Sequence, residues 1–168
     1  MRSSDLLLYA YEQIQETLRR AVEGLTPDQL THRLGPDANT IAWLAWHLTR
    51  VQDDHVADVA GTEQVWTAQG WAERFALPFD TGATGYGHSS EDVGAVRASA
   101  DLLTGYHAAV HAQTAAFLVG LADDDLDRVV DTSWDPPVTL GVRLVSVLSD
   151  DLQHAGQAAF VRGVLQRR

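Results

Sequence analysis

Apolar side chains recur every three or four positions in four long segments of this chain. The segments span about residues 4–23, 39–58, 90–121 and 139–166. This spacing places the apolar side chains on one face of an α-helix, whereas no segment alternates convincingly with the two-residue period of a half-buried strand. The pattern therefore predicts an all-α fold, most simply a four-helix bundle with one long irregular connection.

The irregular connection falls between the second and third predicted helices, at about residues 60–89. Glycine and proline interrupt it repeatedly, yet it contains three aromatic residues that we expect to pack on the bundle, Trp66, Trp71 and Phe75. Connections of this length are often functional, for example as a lid over a site. No internal repeat is visible, and we expect residues 1–168 to form a single domain.

The charge and the cysteine content exclude several classes of function. The formal net charge is −11 at pH 7 and no basic stripe is present, which argues against nucleic acid and anionic membrane surfaces as partners. The chain has no cysteine, so a metal site would have to use His, Asp and Glu ligands. Neither a signal peptide nor a membrane-spanning run is apparent, and we expect a cytoplasmic protein.

The last predicted helix carries a candidate metal-binding pair. His154 follows Asp150 by four positions and Asp151 by three, so either carboxylate can share a helix face with the imidazole. Titratable groups are costly inside a helical core, and a divalent ion is one way to compensate them. His47, beside the apolar stripe of the second predicted helix, could supply a third ligand. Three ligands with an open position are typical of catalytic metal sites.

A second pair of histidines offers an alternative site. His107 and His111 have the His-x3-His spacing of a zinc half-site and fall on the third predicted helix. The ordinary interpretation of such a pair is two histidines near a helix surface. On the residues alone, both sites stay open.

Three further residues could contact a substrate beside the first site. Trp43 precedes His47 by about one helical turn, and Gln157 and Arg162 follow His154 on its helix. A tryptophan here is more often a core residue, and an arginine is as readily a solvated one. We retain Trp43, Gln157 and Arg162 as substrate-binding candidates.

Three stretches of the sequence resemble the DinB/YfiT-like superfamily of metal-binding helical bundles. One is the apolar helix 39–48, another is the turn 25–30 after the first helix. The third, 139–157, resembles the H-x3-H-x-G-Q signature of the family's last helix. Each motif is loose, but their order and spacing together are fairly specific, and the likeness covers essentially the whole chain.

The resemblance also implies which residues are ligands. It makes His47 and His154 metal ligands, and it places Asp150 where most members have histidine and where the mycothiol-dependent branch typically has glutamate. It gives no ligand role to His107 or His111. Aspartate is one methylene shorter than glutamate, which shortens the reach of this carboxylate to a metal.

The activity that the resemblance implies is thiol-dependent. Members with known activity resemble S-transferases that join a low-molecular-weight thiol to a small electrophile, or an isomerase that uses such a thiol. A metal with an open position binds a thiol as thiolate. All twelve basic residues are arginine, which is typical of high-GC bacteria, where the thiol would be mycothiol.

These observations predict a metal-dependent thiol S-transferase. The ion would be zinc, although imidazole and carboxylate ligands also accept nickel, iron or manganese. Two other classes remain: a non-catalytic metal- or ligand-binding stress-response protein of the same fold, and a metal-free helical interaction protein. We also expect a homodimer, because the long connection and the surplus tryptophans could cover an exposed helix face.

Overall fold

Helices dominate the computed structural model, which describes residues 1–167. The long helices are α1 (Ser3–Val22), α3 (Ile41–Ala60), α7 (Ala100–Val119) and α8 (Leu140–Leu165). The shorter helices are α2 (Pro27–Leu30), α4 (Val65–Ala68), α5 (Trp71–Phe75) and α6 (Ser90–Ala95). No helix among these residues has both the length and the apolar character needed to cross a membrane. The predicted all-α class is confirmed.

The four long helices form a bundle around an apolar core. α8 packs against α3 and α1, and α7 packs against the same two helices, so each long helix has two principal neighbours. Each long helix contributes a leucine that is at most 1% exposed, namely Leu18, Leu44, Leu103 and Leu144. Burial of one such side chain stabilises the fold by about 1.5–3 kcal/mol. The apolar periodicity therefore marks the faces that meet in the core.

Side-chain caps fix where three of the long helices begin. Thr40, Ser99 and Thr139 precede α3, α7 and α8, and each hydroxyl accepts a hydrogen bond from a backbone N–H in the first turn of its helix. These N–H groups have no partner within the helix, so a cap contributes about 1 kcal/mol. The caps at Thr40 and Thr139 set the register of the two helices that carry the candidate ligands.

One predicted helix is wrong in its extent. The periodic segment 90–121 does not form a single helix, because the chain is non-helical at 96–99, between α6 and α7. Ser99 caps the second piece, while Val96 in the gap is fully buried. Val96 is apolar because it is buried in the core, although it does not belong to a helix.

The irregular connection packs on the bundle, as predicted. Trp66, Trp71 and Phe75 are buried, and their rings lie 5.1, 5.6 and 5.8 Å from the ring of Tyr106 on α7. Asp53 of α3 accepts hydrogen bonds of 2.8 Å from the first two backbone N–H groups of α4. These three aromatic residues thus pack on their own bundle.

A short antiparallel hairpin precedes α8 and was not predicted. β1 (Val129–Asp131) pairs with β2 (Val138–Thr139), with Val129 opposite Thr139. Strands of three and two residues are too short to show a two-residue period in the sequence. The hairpin delivers the chain directly to the cap of α8.

Candidate metal centre

The three side chains predicted as metal ligands lie together between α3 and α8. His47, Asp150 and His154 each offer a ligand atom within 4.8 Å of the other two. His47 Nε2 is 4.0 Å from Asp150 Oδ2, and His154 Nε2 is 3.6 Å from Asp150 Oδ1. The aspartate side chain thus reaches toward both imidazoles. Within residues 1–167, no other group of three or more His, Asp or Glu ligand atoms converges in this way.

A backbone carbonyl fixes the orientation of His47. Its Nδ1 lies 2.6 Å from the carbonyl oxygen of Thr84. A carbonyl can only accept, so Nδ1 carries the proton and Nε2 presents its lone pair toward Asp150. Trp43 stacks on the imidazole with ring centroids 4.5 Å apart. Metal-binding histidines commonly donate their other N–H to a carbonyl in this manner.

Gly85 permits the close approach of the Thr84 carbonyl to His47. Gly85 has a φ of +97°, and a Cβ atom added there would lie 2.7 Å from His47 Nδ1. Both the backbone conformation and the contact require glycine. The same segment is tied to α3 by the fully buried Arg50, whose Nε donates to the carbonyl of Ala83 at 3.1 Å. The irregular connection therefore shapes the site through its backbone.

His154 is oriented by a side chain of its own helix. Its Nδ1 lies 3.0 Å from Oε1 of Gln157, an amide oxygen that accepts, so Nε2 again faces Asp150. The rings of Trp43 and His154 are nearly perpendicular, with centroids 6.2 Å apart. Two substrate-binding candidates, Trp43 and Gln157, therefore adjoin the ligand group. Their contact with a substrate stays a prediction.

The charges of the group influence one another. Burial works to raise the pKa of Asp150, but the nearby imidazole of His154, followed by that of His47, lowers it overall. The interaction with Asp150 raises the pKa of His154, and burial lowers the pKa of His47. Asp150 Oδ2 is buried and has no hydrogen-bond partner among the described residues. A cation beside this oxygen would satisfy it, so the donor set fits a divalent ion.

Asp151, the other carboxylate candidate, does not belong to this group. Its side chain is fully buried in the core, and neither oxygen has a hydrogen-bond partner in the described part of the chain. Burial, and then the charge of Asp150, raises the pKa of Asp151 well above its ordinary value. Asp151 acts instead on Tyr11 of α1, whose pKa is raised by burial and then by the charge of Asp151. Of the two carboxylates, Asp150 is the one that meets the histidines.

Arg162 lies about two turns beyond His154 on α8. Its Nη1 donates to the carbonyl oxygens of Ala21 and Glu23, at 3.3 and 2.7 Å. The arginine therefore holds the end of α1, and its guanidinium does not join Trp43 and Gln157 beside the ligand group. We do not carry Arg162 into the proposal below.

The alternative pair on α7 has a different environment. His107 Nδ1 lies 3.2 Å from Oγ1 of Thr49, whose own proton is directed to the carbonyl of Ala45 at 2.7 Å. Nδ1 is thus the donor, and the buried Nε2 has no partner among residues 1–167. Burial lowers the pKa of His107 to about 3. No described carboxylate brings His107 and His111 into a three-ligand group.

Sequence reasoning missed the contributions of Thr84, Gly85 and His88. His88 Nδ1 accepts a hydrogen bond of 3.2 Å from Nε1 of Trp43, which braces the ring that stacks on His47. These three residues lie in the irregular connection, where no periodicity assigns a side chain to a face. The density of glycine there was the one visible sign of backbone held close to something else.

Comparisons with known proteins identify the family of this chain. A family model described as mycothiol S-transferase matches residues 6–166. A solved structure described as a conserved protein from Enterococcus faecalis is 29% identical, with a TM-score of 0.92 over 100% of this chain and 99% of that chain. No curated protein matches. Because the family match spans nearly the whole sequence, the chain belongs to the mycothiol S-transferase family, within the DinB/YfiT-like superfamily.

Proposed function

We propose that this chain is a divalent-metal-dependent S-transferase that joins a mycothiol-type thiol to a small electrophile. The observation that carries the proposal is the convergence of the Nε2 lone pairs of His47 and His154 on Asp150, whose buried Oδ2 has no hydrogen-bond partner among the described residues. Membership of the mycothiol S-transferase family supports the class of reaction.

The ligand set suits this chemistry. A divalent ion held by His47, Asp150 and His154 would supply the positive charge that keeps a thiol sulfur deprotonated. The Thr84 carbonyl and the Gln157 amide hold the two imidazoles in their ligating orientation. Three protein ligands leave a position open for the sulfur.

The transfer itself forms one bond and breaks one. The sulfur donates an electron pair to the electrophilic carbon, and the leaving group departs with the electron pair of its former bond. The thiol proton passes to solvent. Trp43, which is buried and stacked on His47, would limit the access of water to the ligand group, and Gln157, the partner of His154, would contact the electrophile.

We propose zinc as the ion, with nickel, iron and manganese as the alternatives that the same ligands accept. A reduced thiol cosubstrate favours the cytoplasm as the compartment. The homodimer remains a prediction that sedimentation of the purified protein would test.

Turnover with defined metal content tests the proposed function. Metal-stripped protein should add nothing to the spontaneous reaction of mycothiol with an activated aryl halide, and zinc should restore adduct formation, measured by mass spectrometry. Asp150→Ala should stay inactive at the same zinc concentration, whereas His111→Ala should match the wild type. Full turnover by the stripped protein would contradict the proposal. Zinc binding without turnover of any thiol and electrophile pair would instead favour a non-catalytic binding protein.

A further inference from the structure

Two clefts lie on either side of the ligand group, along the line where α3 and α8 meet. The helices are antiparallel here, since residues before His47 on α3 lie beside residues after His154 on α8. One cleft, of about 570 Å³, is lined by side chains that include Asn39, Gln153, Gln157 and Phe160, and we call it the amide cleft. The other, of about 480 Å³, is lined by Asp54, His55, Asp58 and Arg143, among others, and we call it the charged cleft.

The amide cleft begins directly at the ligand group. Gln157, which lines it, is the hydrogen-bond partner of His154 at 3.0 Å. Gly156 also lines it, and a Cβ atom added there would meet nothing within 4 Å. Phe160 at its edge is 67% exposed. A small molecule in this cleft can therefore place its reactive carbon beside the ligands while its apolar part rests on an aromatic ring.

The charged cleft lies further from the ligands. Arg143 precedes Asp150 by seven positions on α8, a rise of roughly 10 Å, and His55 follows His47 by eight positions on α3, roughly 12 Å. A molecule bound there must extend along the helices for its sulfur to reach the ligand group. A cysteine-derived thiol that carries a sugar body has the necessary length, and a small electrophile does not.

The polar groups of the charged cleft suit hydroxyls. Arg143 Nη1 donates to His55 Nδ1 at 3.2 Å, and because guanidinium has no acceptor, His55 must carry its proton on Nε2, as a donor. Asp54 and Asp58 supply acceptors, and Asp58 is exposed. A sugar hydroxyl can both donate and accept a hydrogen bond, so it can pair with the imidazole donor and with the carboxylate acceptors of this cleft.

The formal charge of the charged cleft disfavours anions. Asp54 and Asp58 are acidic, and the positive charge of Arg143 is already paired with Asp131 at 2.8 Å. The cleft therefore has a negative balance on a chain whose formal net charge is −11. A ligand carboxylate would be repelled there, whereas a neutral polyhydroxyl group would not.

We propose that the charged cleft binds the neutral polyhydroxyl body of the thiol cosubstrate and that the amide cleft holds the electrophile. The two substrates then meet at the ligand group from opposite sides. The arrangement selects a neutral sugar-bearing thiol over a carboxylate-bearing thiol such as glutathione. This inference rests on the proposed S-transferase function.

Steady-state kinetics with mycothiol and an activated aryl halide separate the two clefts. His55→Phe removes the Nε2 donor and keeps a ring, so the KM for the thiol should rise about tenfold, as for the loss of one hydrogen bond, and the KM for the halide should not change. Phe160→Ala should raise the KM for the halide and leave the KM for the thiol unchanged. Asp58→Asn should narrow the preference for mycothiol over glutathione by about three- to tenfold. Metal content equal to wild type in each variant is the control.

A binding measurement keeps this inference separate from catalysis. S-methylated mycothiol should bind the metal-stripped wild type, and calorimetry should show a loss of about tenfold in affinity for His55→Phe but none for Phe160→Ala. The opposite pattern, or equal affinity in all three proteins, overturns the assignment of the clefts. Binding that follows this pattern in a protein without turnover would retain the thiol cleft and reject the S-transferase function.

Discussion

Two pairs of histidines sit on the bundle helices, and their surroundings differ. His47 and His154 come from helices that face each other, and each donates its Nδ1 proton to an oxygen so that Nε2 turns toward Asp150. His107 and His111 share one face of α7, and the Nε2 of His107 is enclosed without a partner among the described residues. The pair with the better sequence spacing for zinc is the one that gathers no third ligand within residues 1–167.

The difference teaches that facing helices, rather than spacing along one helix, assemble the donor set. A ligand site requires that the atoms behind the imidazoles also be placed, and here a loop carbonyl and a glutamine amide do so. At His107 the hydrogen bond to Thr49 orients the ring equally well, but the buried Nε2 has no partner among the described residues. An imidazole that is oriented but has no carboxylate beside it is a packed core residue rather than part of a ligand group.

The largest change should follow from replacing the carboxylate. Asp150→Asn keeps the shape of the side chain but removes its negative charge, and we expect zinc affinity to fall by more than about 100-fold, beyond the change typical of losing an outer partner. Asp150→Glu keeps the negative charge on a side chain that is one methylene longer and should retain zinc. Competition with a chromogenic chelator measures both affinities. Wild-type affinity in Asp150→Asn would remove Asp150 from the ligand set.

A smaller change should follow from disturbing the loop behind His47. Gly85→Ala would place a Cβ 2.7 Å from His47 Nδ1, and the displaced ring should bind zinc about 10–100-fold more weakly. Gly87→Ala is the matched control, because Gly87 also has a positive φ, +74°, but its added Cβ meets nothing within 4 Å. Both variants should lose about 1–2 kcal/mol of stability from backbone strain. Equal zinc affinity in the two would show that the Thr84 carbonyl does not position His47.

The smallest change concerns the α7 pair. His107→Leu replaces a buried imidazole whose Nε2 has no described partner, so zinc affinity should be unchanged and stability at pH 7 should shift by no more than about 1.5 kcal/mol. Thr49 keeps its hydrogen bond to Ala45 in this variant.

The same substitution, His107→Leu, should change how the free energy of unfolding depends on pH. The pKa of His107 is about 3 in the folded chain, below its ordinary value of 6.5. Between those values the unfolded chain binds a proton that the folded chain does not, so the free energy of unfolding falls by up to about 1.4 kcal/mol for each unit that the pH drops below 6.5. His107→Leu removes this component, and denaturant unfolding at pH 7 and pH 5 measures it. If the free energy of unfolding falls equally in both proteins between pH 7 and pH 5, the fold does not lower the pKa of His107.

Much of the bundle could be predicted from helical periodicity, whereas only the family resemblance favoured His47, Asp150 and His154 over the α7 pair as ligand candidates. Asp150 and His154 share a face by their spacing, and the stripe on α3 places His47 near the core. The spacing alone does not distinguish Asp150 from Asp151, but the structure does, because one position along α8 turns a side chain by about 100°.

What could not be predicted depends on contacts between distant segments. The Thr84 carbonyl meets His47 because Arg50 and Asp53 tie the irregular connection to α3 through its backbone groups. Arg143 meets His55 only when α3 and α8 lie side by side. Neither pairing leaves a periodic trace in the sequence.

The most direct test of the central claim is the metal content of two double variants, expressed and purified side by side. His107→Ala with His111→Ala should retain about one divalent ion per chain, as in the wild type, and His47→Ala with His154→Ala should retain almost none. Metal that persists without His47 and His154 but disappears without His107 and His111 would contradict the account and move the centre to α7.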